Sequence, residues 1–204
     1  AGAYYGFDAD TRYLSPAPLY HAAPLHYNTL NLSPGGTSSV MERLHPGEAL
    51  ALIERYKAAH SPWVPVMFVR RLKLPGASRE KDDVSSMRRA IHAAAPCPID
   101  IKRQMISWWG PVICEYYSSS EGVGFTLIDA EDWLNHPGSV GRPLTGIPKI
   151  LDDDLNELPV GEVGQIYFAE VARFEYFDEP DKTDEAFDAR GWGTVGDMGY
   201  LDKE

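Results

Sequence analysis

Apolar and polar positions along the first three-quarters of this chain alternate between a strand-like and a helix-like rhythm. Residues 37–41 (Thr-Ser-Ser-Val-Met) read as a short strand after the Pro34-Gly35-Gly36 turn. Residues 46–60 then follow a helical period, with Ala49, Leu52, Ile53 and Tyr56 on one face. Pro46 suits the first turn there, and Glu48 suits the positive end of the helix dipole. Residues 63–66 return to a strand, 67–72 form a short helix running into Pro75, and the mixed charges of 76–86 read as an exposed loop. A buried strand at 88–92, a helix at 99–109 stopped by Gly110, and strands at 112–116 and 124–129 complete this part. Strands separated by helices imply parallel pairing with right-handed crossovers. The expected class is α/β.

After about Gly146 the texture changes. Short strands at 147–151, 164–168 and 199–202 are separated by acidic turns such as Asp152-Asp153-Asp154, with at most a short helix at 181–187. This predicts an α/β subdomain over 1–145 and a smaller antiparallel, barrel-like β subdomain over 146–204. The chain opens on Ala1 without an initiator Met and closes on Glu204 just after an expected strand, so both ends read as cut.

Charge narrows the function classes. Nineteen Lys and Arg against 30 Asp and Glu give a net charge of -11, which argues against a nucleic-acid surface or a polybasic membrane patch. An anionic small molecule stays possible, because a metal ion and backbone dipoles can hold phosphates. The longest apolar run, residues 64–69, is far too short for a transmembrane segment. Two cysteines, Cys97 and Cys114, form neither a disulfide framework nor a zinc set, so a reducing cytoplasm is the default location.

Four segments are candidates for chemistry. Prolines around Leu19-Tyr20-His21 fix a loop that presents an aromatic ring and an imidazole, and a packed turn explains the same residues. Ala93-Ala94-Ala95-Pro96 ends a strand in small residues, where open α/β sheets admit ligands, although tight strand–helix packing also wants small side chains. Tyr116-Tyr117-Ser118-Ser119-Ser120-Glu121 combines aromatic faces, hydroxyls and a carboxylate able to hold Mg²⁺. In Gly191 to Tyr200, glycines flank Asp197, which either accepts hydrogen bonds from a ribose diol or caps a turn.

In this order and spacing the segments resemble the adenylate-forming superfamily: acyl-CoA synthetases, luciferases and peptide-synthetase adenylation domains. The resemblance rests on Pro18-Leu19-Tyr20-His21, Ala94-Ala95-Pro96, and 117–121 against the pattern Tyr-Gly-x-Thr-Glu. It continues through Gly138-Ser139-Val140-Gly141-Arg142-Pro143, Gly161-Glu162-Val163-Gly164-Gln165-Ile166-Tyr167, Gly191-Trp192 and Gly196-Asp197, covering nearly the whole chain. Ser118 stands where the pattern has Gly, Ser120 where it has Thr, Val195 where it has Thr, and Ala93-Ala94 where it has Gly-Gly.

The resemblance implies a fragment of an AMP-forming acyl-CoA ligase. Such an enzyme joins a carboxylic acid to Mg·ATP as an acyl adenylate, then transfers the acyl group to coenzyme A. It implies that Glu121 ligates Mg²⁺ and that Ser120 bonds the α-phosphate or the acid. Tyr117 stacks on adenine, Ala94, Ala95 and Pro96 form its slot, Asp197 binds the ribose, and His21 lies beside the acid's carboxylate. Arg142 is equally explained by packing. The family's phosphate loop would lie before residue 1 and its lysine-bearing domain after 204, so this piece alone is expected to be inactive. No acid accompanies His21 to hold a substrate ammonium, which favours an acid without an α-amino group. An adenylating enzyme with a different second step, and a non-catalytic module of the same fold, are the alternatives.

Overall fold

The computed structural model describes residues 2–203, and these fall into two compact units. In chain order the elements begin α1 (Gly2–Tyr5), β1 (Arg12–Ser15), α2 (Ala22–Leu32), β2 (Thr37–Val40) and α3 (Pro46–Tyr56). They continue β3 (His60–Trp63), α4 (Pro65–Leu72), α5 (Gly76–Arg79), β4 (Arg89–His92), α6 (Ile99–Trp109) and β5 (Ile113–Ser118). Last come β6 (Phe125–Ile128), α7 (Ala130–Asn135), β7 (Arg142–Thr145), β8 (Ile147–Leu151), β9 (Gly164–Ala169), α8 (Pro180–Glu185) and β10 (Gly193–Gly199). The class is α/β with a separate three-stranded antiparallel sheet.

The first unit runs to Tyr116 and includes Ile128–Gly141. Its five strands are parallel in the order β2-β1-β3-β4-β5, with Tyr13 beside both Ser38 and His60, and Ile91 beside both Pro62 and Cys114. α3 forms because Pro46 and Glu48 start it and Ala49, Leu50 and Ile53 bury one face. It stops four residues before the extent its pattern predicts, in that Tyr56 is its last residue and Lys57 takes a left-handed φ of 49°. The strand expected at 63–66 runs instead from His60 to Trp63, and Pro65, having no N–H for a ladder, opens α4. The loop expected at 76–86 contains the one-turn helix α5. The core gathers Leu14, Leu50, Ile53, Phe68, Met105 and Ile113 around the indoles of Trp63, Trp109 and Trp133. Two cations share that interior. The Arg71 guanidinium lies 3.8 Å from the Trp63 ring centroid, and burial pulls its pKa down to about 9. Lys102 is fully buried against Glu115 and the Trp133 ring.

The second unit comprises Tyr117–Leu127 and the residues from Arg142 onward. β6 pairs antiparallel with β7, and a three-stranded antiparallel sheet has the order β10-β9-β8. The strand expected at 199–202 is displaced: pairing with β9 runs through Gly193–Gly199, and residues 200–202 lie outside it. A run rich in glycine reads as a turn, yet its backbone amides and carbonyls are used by the ladder. Gly124 is required where it stands, because a Cβ there would lie 2.3 Å from the Phe168 ring and its φ is +68°.

Candidate functional site

In the second unit β5 ends by delivering Tyr117, whose half-buried ring stacks on Phe168 at 6.3 Å between centroids and 19° between planes. The Tyr117 hydroxyl donates to Asp197 Oδ2 at 2.8 Å, across 80 residues of sequence. Burial raises the Tyr117 pKa above its ordinary value, and the bond to Asp197 and the charge on that carboxylate add to the effect.

Asp197 reaches this position because β10 is bulged between Thr194 and Met198. Buried Thr194 donates to the Ile166 carbonyl at 2.7 Å and accepts the Gly196 amide at 3.1 Å. Gly196 supplies the left-handed φ of +87° that the bulge needs. Bulges re-aim side chains, and this one leaves the Asp197 carboxylate exposed beside Tyr117.

The serine run forms a turn held by its own hydroxyls. Ser118 donates to the Gly124 carbonyl at 2.8 Å, and Ser119 Oγ accepts the Val123 amide at 3.3 Å. Ser120 is exposed. Glu121 is half-buried and accepts from the Tyr176 hydroxyl at 2.8 Å. Its partial burial works to raise the carboxyl pKa. Hydrogen bonds from Tyr176, its own amide and Ser119, with Lys182 nearby, outweigh that and hold it below the ordinary carboxylate range. Glu121 is therefore an ionised oxygen donor. Among the described residues no three His, Cys, Asp or Glu converge on one metal position. One carboxylate fits Mg²⁺ that takes its other ligands from substrate phosphates and water, which is how this ion is commonly held.

In the first unit His21 is the exposed N-cap residue of α2, its ring 4.6 Å from that of Tyr20. Ala94, Ala95 and Pro96 are exposed just beyond the C-terminal end of β4, and Ala94 holds a left-handed φ of +74°. The residues flanking His21 and the end of β4 meet in one place. Ala17, Ala23, Ala93 and Ala94 all line an apolar cavity of about 40 Å³. A larger open cleft of about 670 Å³, lined by Ser39, Glu42, Arg43, His45 and Glu48 among others, contains none of the residues singled out from the motifs.

The structure thus joins Tyr117 with Asp197, and surrounds Glu121 with Tyr176 and Ser119. Tyr176 and Phe168 are participants that the motifs did not single out. Phe168 directly follows the Gly161 to Tyr167 motif, but nothing local marks Tyr176, which meets Glu121 across 55 residues. Among the described residues no helix is long and apolar enough to cross a membrane.

Residues 1–174 match the family model of the AMP-binding enzyme. The chain is 28% identical to the fatty acid–[acyl-carrier-protein] ligase ScoC of Streptomyces coeruleorubidus, over 92% of this chain and 37% of the relative. It is also 28% identical to the medium/long-chain-fatty-acid–CoA ligase FadD8 of Mycobacterium tuberculosis, over 96% of this chain and 34% of the relative. Among solved structures it superposes on the amide bond synthetase McbA from Marinactinospora thermotolerans with a TM-score of 0.87 and 26% identity, covering 98% of this chain and 41% of that one. The N-terminal domain of FACL13 from Mycobacterium tuberculosis gives a TM-score of 0.84 at 25% identity, over 100% of this chain and 52% of that one. The chain therefore spans a little over a third of the curated relatives it matches. With two acid ligases among its relatives and the family model covering most of its length, the chain belongs to the AMP-binding enzyme family.

Proposed function

We propose that the protein carrying this chain is an AMP-forming acid–thiol ligase, and that the chain contributes its nucleotide seat and part of its acid site. The observation that carries the reading is the Tyr117–Asp197 pair, braced below by Phe168 and aimed by the β10 bulge. An aromatic face beside an exposed carboxylate suits a nucleoside: the ring takes the base, and Asp197 accepts the ribose hydroxyls in exchange for the Tyr117 hydroxyl. Ser120 would donate to the α-phosphate or to the acid, and the exposed Ala94, Ala95 and Pro96 are the first unit's candidates for contact with the nucleotide.

In the first half-reaction a carboxylate oxygen attacks the α-phosphorus and pyrophosphate leaves. The demands on the protein are in-line placement and neutralisation of phosphate charge. Glu121 would hold Mg²⁺, which supplies positive charge to the phosphate oxygens when bound. His21 would lie beside the acid. In the second half-reaction the coenzyme A thiol attacks the acyl carbonyl and AMP leaves. A second reading exchanges coenzyme A for another acceptor, and it is favoured by the carrier-protein ligase and the amide bond synthetase among the similar proteins. The free thiols Cys97 and Cys114 support a cytoplasmic location.

Measuring AMP release from ATP and a panel of carboxylic acids, with and without coenzyme A, tests the proposal. Acid-dependent AMP release that coenzyme A accelerates, with thioester accumulating, supports the ligase. Acid-dependent adenylate that coenzyme A does not consume supports the second reading. ATP left intact with every acid refutes both.

A further inference from the structure

Glu121 stands in the turn between β5 and β6, on a side chain that loses much rotamer freedom when it is ordered. We propose that Tyr176 is a positioning residue for the cation site, its hydroxyl fixing the Glu121 carboxylate in the orientation that takes the metal. The inference rests on the reading of Glu121 as a Mg²⁺ ligand, and adds to it a residue that no motif marks.

The hydroxyl is the first argument. It donates to Glu121 Oε1 at 2.8 Å and so joins two segments 55 residues apart. The bond is charge-assisted, because that carboxylate is ionised. Carboxylates that hold a metal are themselves hydrogen-bonded as a rule, and those outer partners orient the ligand toward the ion. A bond to one oxygen fixes the plane of the whole group.

The second argument is that the donor is itself held. The Tyr176 amide donates to Thr183 Oγ1 at 2.8 Å, and Thr183, 5% exposed, donates in turn to the Glu179 carbonyl at 2.9 Å. The Tyr176 ring meets Phe174 edge-on at 5.1 Å, and the Lys182 ammonium lies 4.0 Å from its centroid. Phe174 packs on Phe187 at 5.0 Å, and Phe187 carries the Arg173 guanidinium at 4.8 Å. A phenol pinned by its backbone and its ring offers the hydroxyl from one place. Glu121 is then ordered before the cation arrives, which lowers the cost of binding it.

The test uses the whole protein that carries this chain, with Mn²⁺ in place of Mg²⁺ and α,β-methylene-ATP in place of ATP. Bound Mn²⁺ is read by electron paramagnetic resonance, so turnover plays no part in the result. Tyr176→Phe keeps the ring and its packing and removes only the hydroxyl. It is expected to weaken Mn²⁺ in the ternary complex by about tenfold or more, the scale of losing an outer partner of a metal ligand. Metal-free nucleotide affinity and the melting temperature are expected to stay as in wild type. In a Glu121→Gln background the same change is expected to cost less than about twofold, because its route to the metal is already gone. Unchanged Mn²⁺ affinity in Tyr176→Phe overturns the inference. An equal loss in both backgrounds does so too, since Tyr176 then acts elsewhere. A loss that comes with a lowered melting temperature and weaker metal-free nucleotide binding assigns the bond to the fold and likewise overturns it. Equal Mn²⁺ binding by wild type and Glu121→Gln would instead refute the metal role of Glu121 itself, and this inference with it.

Discussion

Replacing Lys102 with Met probes how the strand that delivers Tyr116 and Tyr117 is held. Lys102 is fully buried, and its Nζ pairs with Glu115 Oε2 at 2.5 Å and lies 4.5 Å from the Trp133 ring centroid. Burial pushes the Glu115 carboxyl up and the Lys102 ammonium down, each opposed by the other's charge. Met keeps most of the stem volume but leaves Glu115 without its partner. His92 Nε2 lies 3.5 Å from the same carboxylate, and burial, the larger of the two causes that hold its pKa down to about 3, remains when the Lys102 charge is removed. Breaking one side of a buried pair costs about 3–5 kcal/mol, a large part of the roughly 5–15 kcal/mol that stabilises a domain. The loss depends on pH. Burial raises the folded-state pKa of Glu115 above the 4.5 of an unperturbed carboxyl, and the variant lacks the Lys102 charge and hydrogen bond that oppose this. Stability from such a group is fully present below the unfolded value and is lost as pH rises through the folded one. The deficit of Lys102→Met against wild type is therefore expected to be small near about pH 4 and full near about pH 8. Urea unfolding followed by circular dichroism at both pH values measures it. Lys102→Met/Glu115→Leu should recover most of the loss, since replacing both partners of a buried pair by apolar groups is nearly neutral. A deficit below about 1 kcal/mol at the higher pH, or one equal at both, would refute the reasoning.

Asp197→Ala should weaken ATP about tenfold, a change of about 1.4 kcal/mol, and weaken 2'-deoxy-ATP less. Titrating both nucleotides checks this, and an unchanged ratio between them would remove Asp197 from the ribose. Ala94→Gly should raise stability by about 1 kcal/mol, because the left-handed φ of +74° burdens a residue with a Cβ. A lower melting temperature would mean that contacts of the Ala94 methyl outweigh the strain.

How far the sequence reached depended on which groups did the folding. α3 was legible because its buried face is aliphatic and its start is marked by Pro46 and Glu48. α2 was not, because its buried positions are Pro24, Tyr27, Asn28 and Asn31. Those polar side chains are buried because they are bonded: Asn28 donates to Ser15 and to the Pro24 carbonyl, and Asn31 donates to Ser38. No apolar period could announce such a face. β1, β7 and α7 were missed as well, each only four to six residues long. β10 was misplaced because Gly193, Gly196 and Gly199 resemble a turn, while the bulge that makes Asp197 useful depends on Thr194 and on pairing with β9. Of the site, Tyr117, Glu121 and Asp197 were named by motif spacing. Their mutual geometry, and the part played by Tyr176, come from contacts between residues 55 and 80 positions apart that no local pattern encodes.

The most direct test of the account is ATP–pyrophosphate exchange by the protein carrying this chain, run with and without a carboxylic acid, for wild type and Glu121→Gln. The account predicts exchange only when an acid is present. It also predicts a fall of about a hundredfold in Glu121→Gln, the scale of losing one group that stabilises transition-state charge, with an unchanged melting temperature. Exchange that needs no acid, or that persists at wild-type rate in Glu121→Gln at saturating Mg²⁺, would contradict it.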